Sequence, residues 1–102
     1  MRFKNIVALL FCGLSIGLSS PSFSDEEKIE SLFASYCFSC HGTGWEDAPV
    51  VGDPFSWEER KEQGIDILLK HTLEGLNSMP PKGGCAKCTT EELKQLIVWM
   101  IE

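Results

Sequence analysis

Cys37-Phe38-Ser39-Cys40-His41 places two thiols three positions apart with an imidazole directly after them. This is the C-x-x-C-H pattern by which a c-type haem is attached. Each thiol can add across one vinyl group of a porphyrin, giving two thioether bonds. Two intervening residues separate the sulfurs by about one helical turn, which suits the spacing of the vinyls. The imidazole that follows can reach the iron, so His41 is the expected proximal ligand. The iron then has a second axial position, and Met79 is the best candidate to fill it. It stands in a loop, Met79-Pro80-Pro81-Lys82-Gly83-Gly84, where helix packing does not account for it. The two prolines restrict the backbone beside it, and a soft, weakly binding thioether needs such positional help. Ligation by His and Met raises the reduction potential and closes both axial positions to oxygen and peroxide. Met100 fits a helical apolar stripe and reads as core. His71 lies off the apolar face of its helix and reads as a surface residue.

A second C-x-x-C pair, Cys85 and Cys88, follows the Met79 loop. The residues leave three readings open. A disulfide here closes a very small loop, worth about 2 kcal/mol or less in chain entropy before strain; its role would be to stiffen the turn before the last helix. A redox-active dithiol is the second reading, although nothing suggests the strands of a thioredoxin-like domain. The third is a four-cysteine zinc site. Cys40 and Cys85 stand much further apart than the ~15–20 residues usual between the pairs of such a site, and zinc would leave His41 and Met79 without a role.

These residues need an oxidising compartment and a wrapper. Arg2 and Lys4 precede a short apolar run, Ile6 to Leu18, and Ser22 and Ser24 offer small residues for cleavage. This predicts a secretory signal peptide over residues 1–24, with the domain at 25–102; an uncleaved anchor is the alternative, and Cys12 belongs to the discarded segment. The apolar run is shorter than the ~20 residues that span a bilayer. What remains is one small domain of about 80 residues, marginal in stability without a cofactor or staple. The chain carries a net charge of −6, and loss of Arg2 and Lys4 makes the remainder more acidic. Such a surface does not bind nucleic acid through phosphates; its natural partners are basic protein surfaces.

Apolar spacing predicts helices around the site. Ile29, Leu32, Phe33 and Tyr36 mark one face of a first helix over about 25–35, opened by the capping box Ser24-Asp25-Glu26-Glu27. Residues 42–55 read as a loop broken by Gly42, Gly44, Pro49, Gly52 and Pro54, with Trp45 and Phe55 as aromatics that cover a haem face or edge, against the plainer role of covering ordinary core. Ser56-Trp57-Glu58-Glu59 predicts a second, short helix capped by Ser56 and ending near Gly64. Trp57 and Arg60 are candidate contacts for the haem propionates, against the plainer roles of packed indole and solvated guanidinium. Ile65, Leu68, Leu69 and Leu73 give a third helix. Thr89-Thr90-Glu91-Glu92 caps a fourth, with Leu93, Leu96, Ile97 and Met100 on its buried face and Trp99 flanking it. The expected fold is therefore all-α, about four helices around one covalently bound haem.

With these residues in view, the sequence resembles the class I cytochromes c, specifically the cytochrome c5 type. The likeness rests on Cys37-Phe38-Ser39-Cys40-His41-Gly42-Thr43-Gly44, Ala48-Pro49, Gly52-Asp53, Trp57, Arg60, Gln63-Gly64 and the run from Met79 to Cys88. The resemblance implies a class I cytochrome c fold, one haem c on Cys37 and Cys40, iron held by His41 and Met79, and a Cys85–Cys88 disulfide. It also implies a periplasmic one-electron carrier without a small-molecule substrate, serving redox proteins such as membrane respiratory complexes or a terminal oxidase or reductase. A haem enzyme or gas sensor with a labile Met79 is the competing function. One departure stands out: Glu46-Asp47 follows Trp45 where the family often carries a glycine before Ala-Pro, which alters the rim of the haem crevice without touching the ligands.

Overall fold

The computed structural model describes residues 25–102. The expected signal peptide, Cys12 and the Ser24 cap lie outside the described residues. The first helix, α1 (Asp25–Leu32), opens with Asp25, Glu26 and Glu27 at the positive end of its dipole and buries Ile29 and Leu32. Instead of stopping near Ser35, helical backbone continues through a π-helical stretch, Phe33–Cys37, into a short helix α2 (Phe38–His41). The amide of Phe38 reaches back to the carbonyl of Phe33, the wider bond that a π-bulge makes. The extra residue in that turn takes Tyr36 off the line of Ile29, Leu32 and Phe33. Those three are buried, while Tyr36 is exposed. The C-x-x-C-H motif is thus carried on a continuous helical segment.

A 3-10 turn at Trp45–Asp47 leads to α3 (Pro54–Lys61). The predicted cap, Ser56, is corrected to Asp53. Its carboxylate accepts the Phe55 amide at 3.3 Å and the Ser56 hydroxyl at 2.7 Å. Pro54 occupies the first helical position, where its missing N–H costs nothing and its fixed φ favours the helix. α4 (Ile65–Glu74) lies between Gly64 and Gly75, both at positive φ. A 3-10 turn at Pro81–Gly84 follows, then the longest helix, α5 (Thr90–Ile101). Its capping box forms as expected: Glu92 donates its amide to the Thr89 hydroxyl at 3.0 Å, and Thr89 donates its amide to the Glu92 carboxylate at 2.9 Å.

The core gathers on α5. Leu93, Leu96 and Met100 pack with Ile29, Leu32 and Phe33 of the N-terminal segment and with Trp57 of α3. Trp99 leans on Phe33, ring centroids 5.0 Å apart. Cys85 and Cys88 are joined by a disulfide, and both lie within this core. The bridge is therefore a packing element as well as a local constraint. Among the described residues the only β-type pairing is an isolated bridge between Leu76 and Met79.

An ion pair, Lys28 Nζ to Glu92 at 2.7 Å, ties α1 to the start of α5. The hydrogen bond to Lys28, with that from the Thr89 amide, holds the Glu92 carboxyl below its ordinary value of 4.5. The same pairing raises Lys28 above 10.5. A lowered carboxyl pKa stabilises the fold above its unfolded value and is lost as pH falls through the folded one. For Lys28 the contribution is present below 10.5 and lost as pH rises through its raised value. Glu92→Gln keeps a cap acceptor but removes the charge. It is expected to flatten the loss of stability below pH 4.5, read as a smaller shift of the denaturant midpoint on acidification. Added salt should shrink the difference between the two proteins, because the pair lies at solvent.

Candidate functional site

His41 ends α2 and is 8% exposed, the buried polar side chain of the core region. Its Nδ1 lies 2.8 Å from the carbonyl oxygen of Pro49. A carbonyl only accepts, so Nδ1 carries the proton and Nε2 keeps its lone pair for another partner. The segment 49–51 works as a strap around this ring. Val51 donates its amide to the His41 carbonyl at 2.8 Å. The carbonyl of Val50 accepts the Trp57 indole N–H at 2.8 Å. The Trp57 ring lies nearly parallel to the imidazole, 6.3 Å away and tilted by 19°. Ring orientation and tautomer of His41 are both set by these neighbours.

The indole of Trp57, a candidate propionate contact, has a single N–H, which donates here to Val50, so Trp57 packs as a buried support beside His41. Arg60 is exposed at the crevice margin and donates one guanidinium N–H to the Ser56 carbonyl at 2.7 Å, with others left over. Cys37 and Cys40 are free, half-buried thiols on the crevice wall. Burial, with Cys40 adding to it, pushes the Cys37 thiol up to about 11, so in this fold it stays a neutral thiol.

Met79 lines the same crevice. It closes a tight two-residue loop in which Leu76 and Met79 exchange amide hydrogen bonds of 3.0 and 2.8 Å. The loop is reached through Gly75 at φ +90°, where a Cβ would come within 3.0 Å of the Met79 carbonyl oxygen and 3.1 Å of the Pro81 nitrogen. Both contacts are to backbone, which cannot swing aside. Lys82 then folds back, its ammonium donating to the Cys88 carbonyl at 3.1 Å and, more weakly, to Ala86. This ties the Pro81–Gly84 turn to the disulfide loop. Gly75→Ala should destabilise the fold by about 1–3 kcal/mol, the cost of a strained non-glycine backbone. The denaturant midpoint checks this, and a displaced Met79 turn should accompany the loss.

The crevice that these residues line has a volume of about 260 Å³. Leu68, Leu93, Leu96, Ile97 and Met100 form apolar walls, and Trp45, Glu46 and Leu76 stand along it at the surface. His71, expected at the surface, is half-buried and lines this space together with Leu68 and Thr72. Phe55, expected to cover a haem face, is 84% exposed and lies away from the crevice, because it projects from the solvent side of the first turn of α3. Trp45 does border the crevice, at 62% exposure. Pro49, Val50 and Ser78 were not singled out for roles by sequence. Two of them act through backbone carbonyls, which leave no side-chain signature; only the Ala48-Pro49 pair hinted at the strap.

The donor set suits a haem. Two thiols, an imidazole with a free Nε2 and a thioether line one crevice with apolar walls. The zinc reading does not fit, since the sulfurs of Cys85 and Cys88 are bonded to each other, and their burial, at 1% and 2% exposure, leaves a redox dithiol no access to a partner. No group of three His, Cys, Asp or Glu side chains converges as a metal site among the described residues.

Comparison with known proteins agrees. A family model described as cytochrome c oxidase, cbb3-type, subunit III matches residues 24–100. Cytochrome c5 of Azotobacter vinelandii is 50% identical over 70 residues, which cover 67% of this chain and 84% of that protein. Cytochrome c5 of Ectopseudomonas mendocina is 41% identical over 70 residues, covering 67% of this chain and 80% of that protein. A chain in the crystal structure of an electron transfer complex of nitrite reductase with cytochrome c superposes with a TM-score of 0.66. It is 36% identical, with 71% of this chain and 88% of that chain covered.

Proposed function

The chain belongs to the class I cytochromes c, with cytochrome c5 relatives, and on that premise we propose that it is a periplasmic monohaem carrier of single electrons between respiratory components. The electron-carrier role is that of the family. What supports the finer reading is that His41, its Nδ1 committed to Pro49, and Met79 line one crevice with apolar walls.

Cys37 and Cys40 would hold haem c as thioethers, His41 Nε2 and Met79 Sδ would be the axial ligands, and Arg60 would meet a propionate with its remaining N–H groups. Bound haem supplies the Fe(II)/Fe(III) couple, and the protein supplies orientation, burial and ligand identity. The strap 49–51 and Trp57 keep the imidazole from rotating. The Leu76–Met79 loop, braced by Lys82 and the buried disulfide, keeps the thioether in place. With ligands unchanged between oxidation states, little rearrangement accompanies transfer. Apolar walls keep water from the interior, while the open margin near Trp45 and Leu76 leaves a partner's cofactor a short approach.

Residues 1–24 would be an export signal removed to leave 25–102. A basic start, an apolar run and small residues support this, as does a disulfide that persists in an oxidising compartment. The net charge of −6 favours redox partners with basic docking surfaces, held briefly enough for turnover. The structural neighbour was captured with nitrite reductase, which supports a terminal reductase or oxidase as the kind of partner. Maturation with a functional haem-attachment system tests the reading. Haem should remain on the polypeptide after acid-organic extraction, as one haem per chain by mass. A colourless product, or haem that extracts freely, contradicts it.

A further inference from the structure

Glu46 and Ser78 lie 32 positions apart in sequence, yet the Ser78 hydroxyl donates to the Glu46 carboxylate at 3.0 Å. Both line the crevice, from different segments of the chain. Glu46 belongs to the turn Trp45–Asp47 beyond the C-x-x-C-H helix. Ser78 is at the tip of the loop that Leu76 and Met79 close, directly before Met79. The carboxylate is presented from an unfavourable backbone: Glu46 has φ +57° and Asp47 φ +69°, a left-handed conformation that glycine takes freely and glutamate does not. An acidic side chain kept in a position that favours glycine points to a contact that needs it. The contact on the page is Ser78.

We propose that the Ser78–Glu46 hydrogen bond is a latch across the mouth of the crevice, making Glu46 and Ser78 positioning residues that hold the Met79 loop closed over the sixth position of the iron. The proposal rests on the reading of Met79 as the axial thioether. The chain joins the two lips at its surface through this side-chain bond, while the disulfide and Lys82 brace the Met79 loop from behind. Loss of the latch leaves the fold in place but lets the thioether leave the iron more often. A competing ligand then gains access.

The test uses the haem-loaded ferric protein and imidazole as the probe, following the methionine-to-iron charge-transfer band. Ser78→Ala should bind imidazole about two- to tenfold more tightly, the range expected for one hydrogen bond of this kind. Ser78→Thr, which keeps the hydroxyl, should behave as the parent does. Glu46→Gly separates positioning from folding. It removes backbone strain, so a purely structural role for Glu46 predicts unchanged or weaker imidazole binding, whereas the latch predicts tighter binding. Adding Ser78→Ala to Glu46→Gly should then have no further effect, because both changes break the same bond. Imidazole affinities equal to the parent's in Ser78→Ala overturn the latch. A parent that lacks the methionine band overturns the axial role of Met79, and the latch with it.

Discussion

Met79→Ala is expected to lower the reduction potential of the haem-loaded protein by on the order of 0.1 V or more, within the ~0.8 V that axial ligands command. A thioether is a soft neutral donor that favours Fe(II). Alanine leaves the position to water or to an added ligand, both of which favour Fe(III) more. The substitution should cost little of the fold. Met79 is only half-buried and projects from a loop whose own hydrogen bonds, Leu76 to Met79 and back, are backbone. The variant should therefore stay folded and coloured while its potential falls and its methionine band disappears. Equilibrium redox titration checks this. An unchanged potential would mean that another side chain holds the sixth position, and Met100 and His71, both on the crevice wall, are the residues to replace next.

The other large effect is expected at His41, where folding and cofactor depend on one side chain. His41→Ala leaves the Pro49 carbonyl without its partner and opens a void beside the Trp57 ring. A large-to-small change at a buried ring site costs about 3–5 kcal/mol, and the lost hydrogen bond adds roughly 1 kcal/mol. A domain of about 80 residues has only about 4–12 kcal/mol of stability in total at ~0.05–0.15 kcal/mol per residue. The strap 49–51 would also lose its anchor, exposing the Trp57 side of the crevice. We expect almost no folded, haem-bearing protein to accumulate, measured as haem absorbance per milligram of exported chain. His41→Gln, which keeps a donor towards Pro49, should recover part of the folding without restoring the parent haem spectrum.

Much of this molecule could be read from side-chain types and spacing, and the misses share a cause. The last helix was legible because Thr89 and Glu92 cap it and Leu93, Leu96, Ile97 and Met100 recur at helical intervals. The C-x-x-C-H motif and the Met79 loop stood out for the same reason, since each combines unusual side chains at short range. The cap of α3 was misplaced because Ser56-Trp57-Glu58-Glu59 mimics a capping box while Asp53-Pro54, three residues earlier, supplies both the acceptor and the fixed φ. The Trp57 N–H meets the Val50 carbonyl, an acceptor that every residue offers and that no spacing marks. His71 reads as a surface residue because the apolar stripe of α4, Ile65, Leu68, Leu69 and Leu73, leaves it out. The face of Leu68, His71 and Thr72 turns towards the crevice, a second interior surface that hydrophobic periodicity does not register. Tyr36 left its predicted face because a π-bulge adds a residue to the turn, and no single side chain announces one. Glu46 was noticed as a departure, but its partner Ser78 becomes visible only when the two lips meet.

A carrier with His41 and Met79 on its iron has both axial positions closed and moves electrons without exchanging ligands. Exposure of the reduced, haem-loaded protein to carbon monoxide at neutral pH tests it most directly. The expected result is an unchanged visible spectrum over the time in which an open ferrous haem would saturate, with a one-electron slope in the matching redox titration. Rapid formation of a carbon monoxide adduct would contradict the account and make the chain a ligand-binding haem protein.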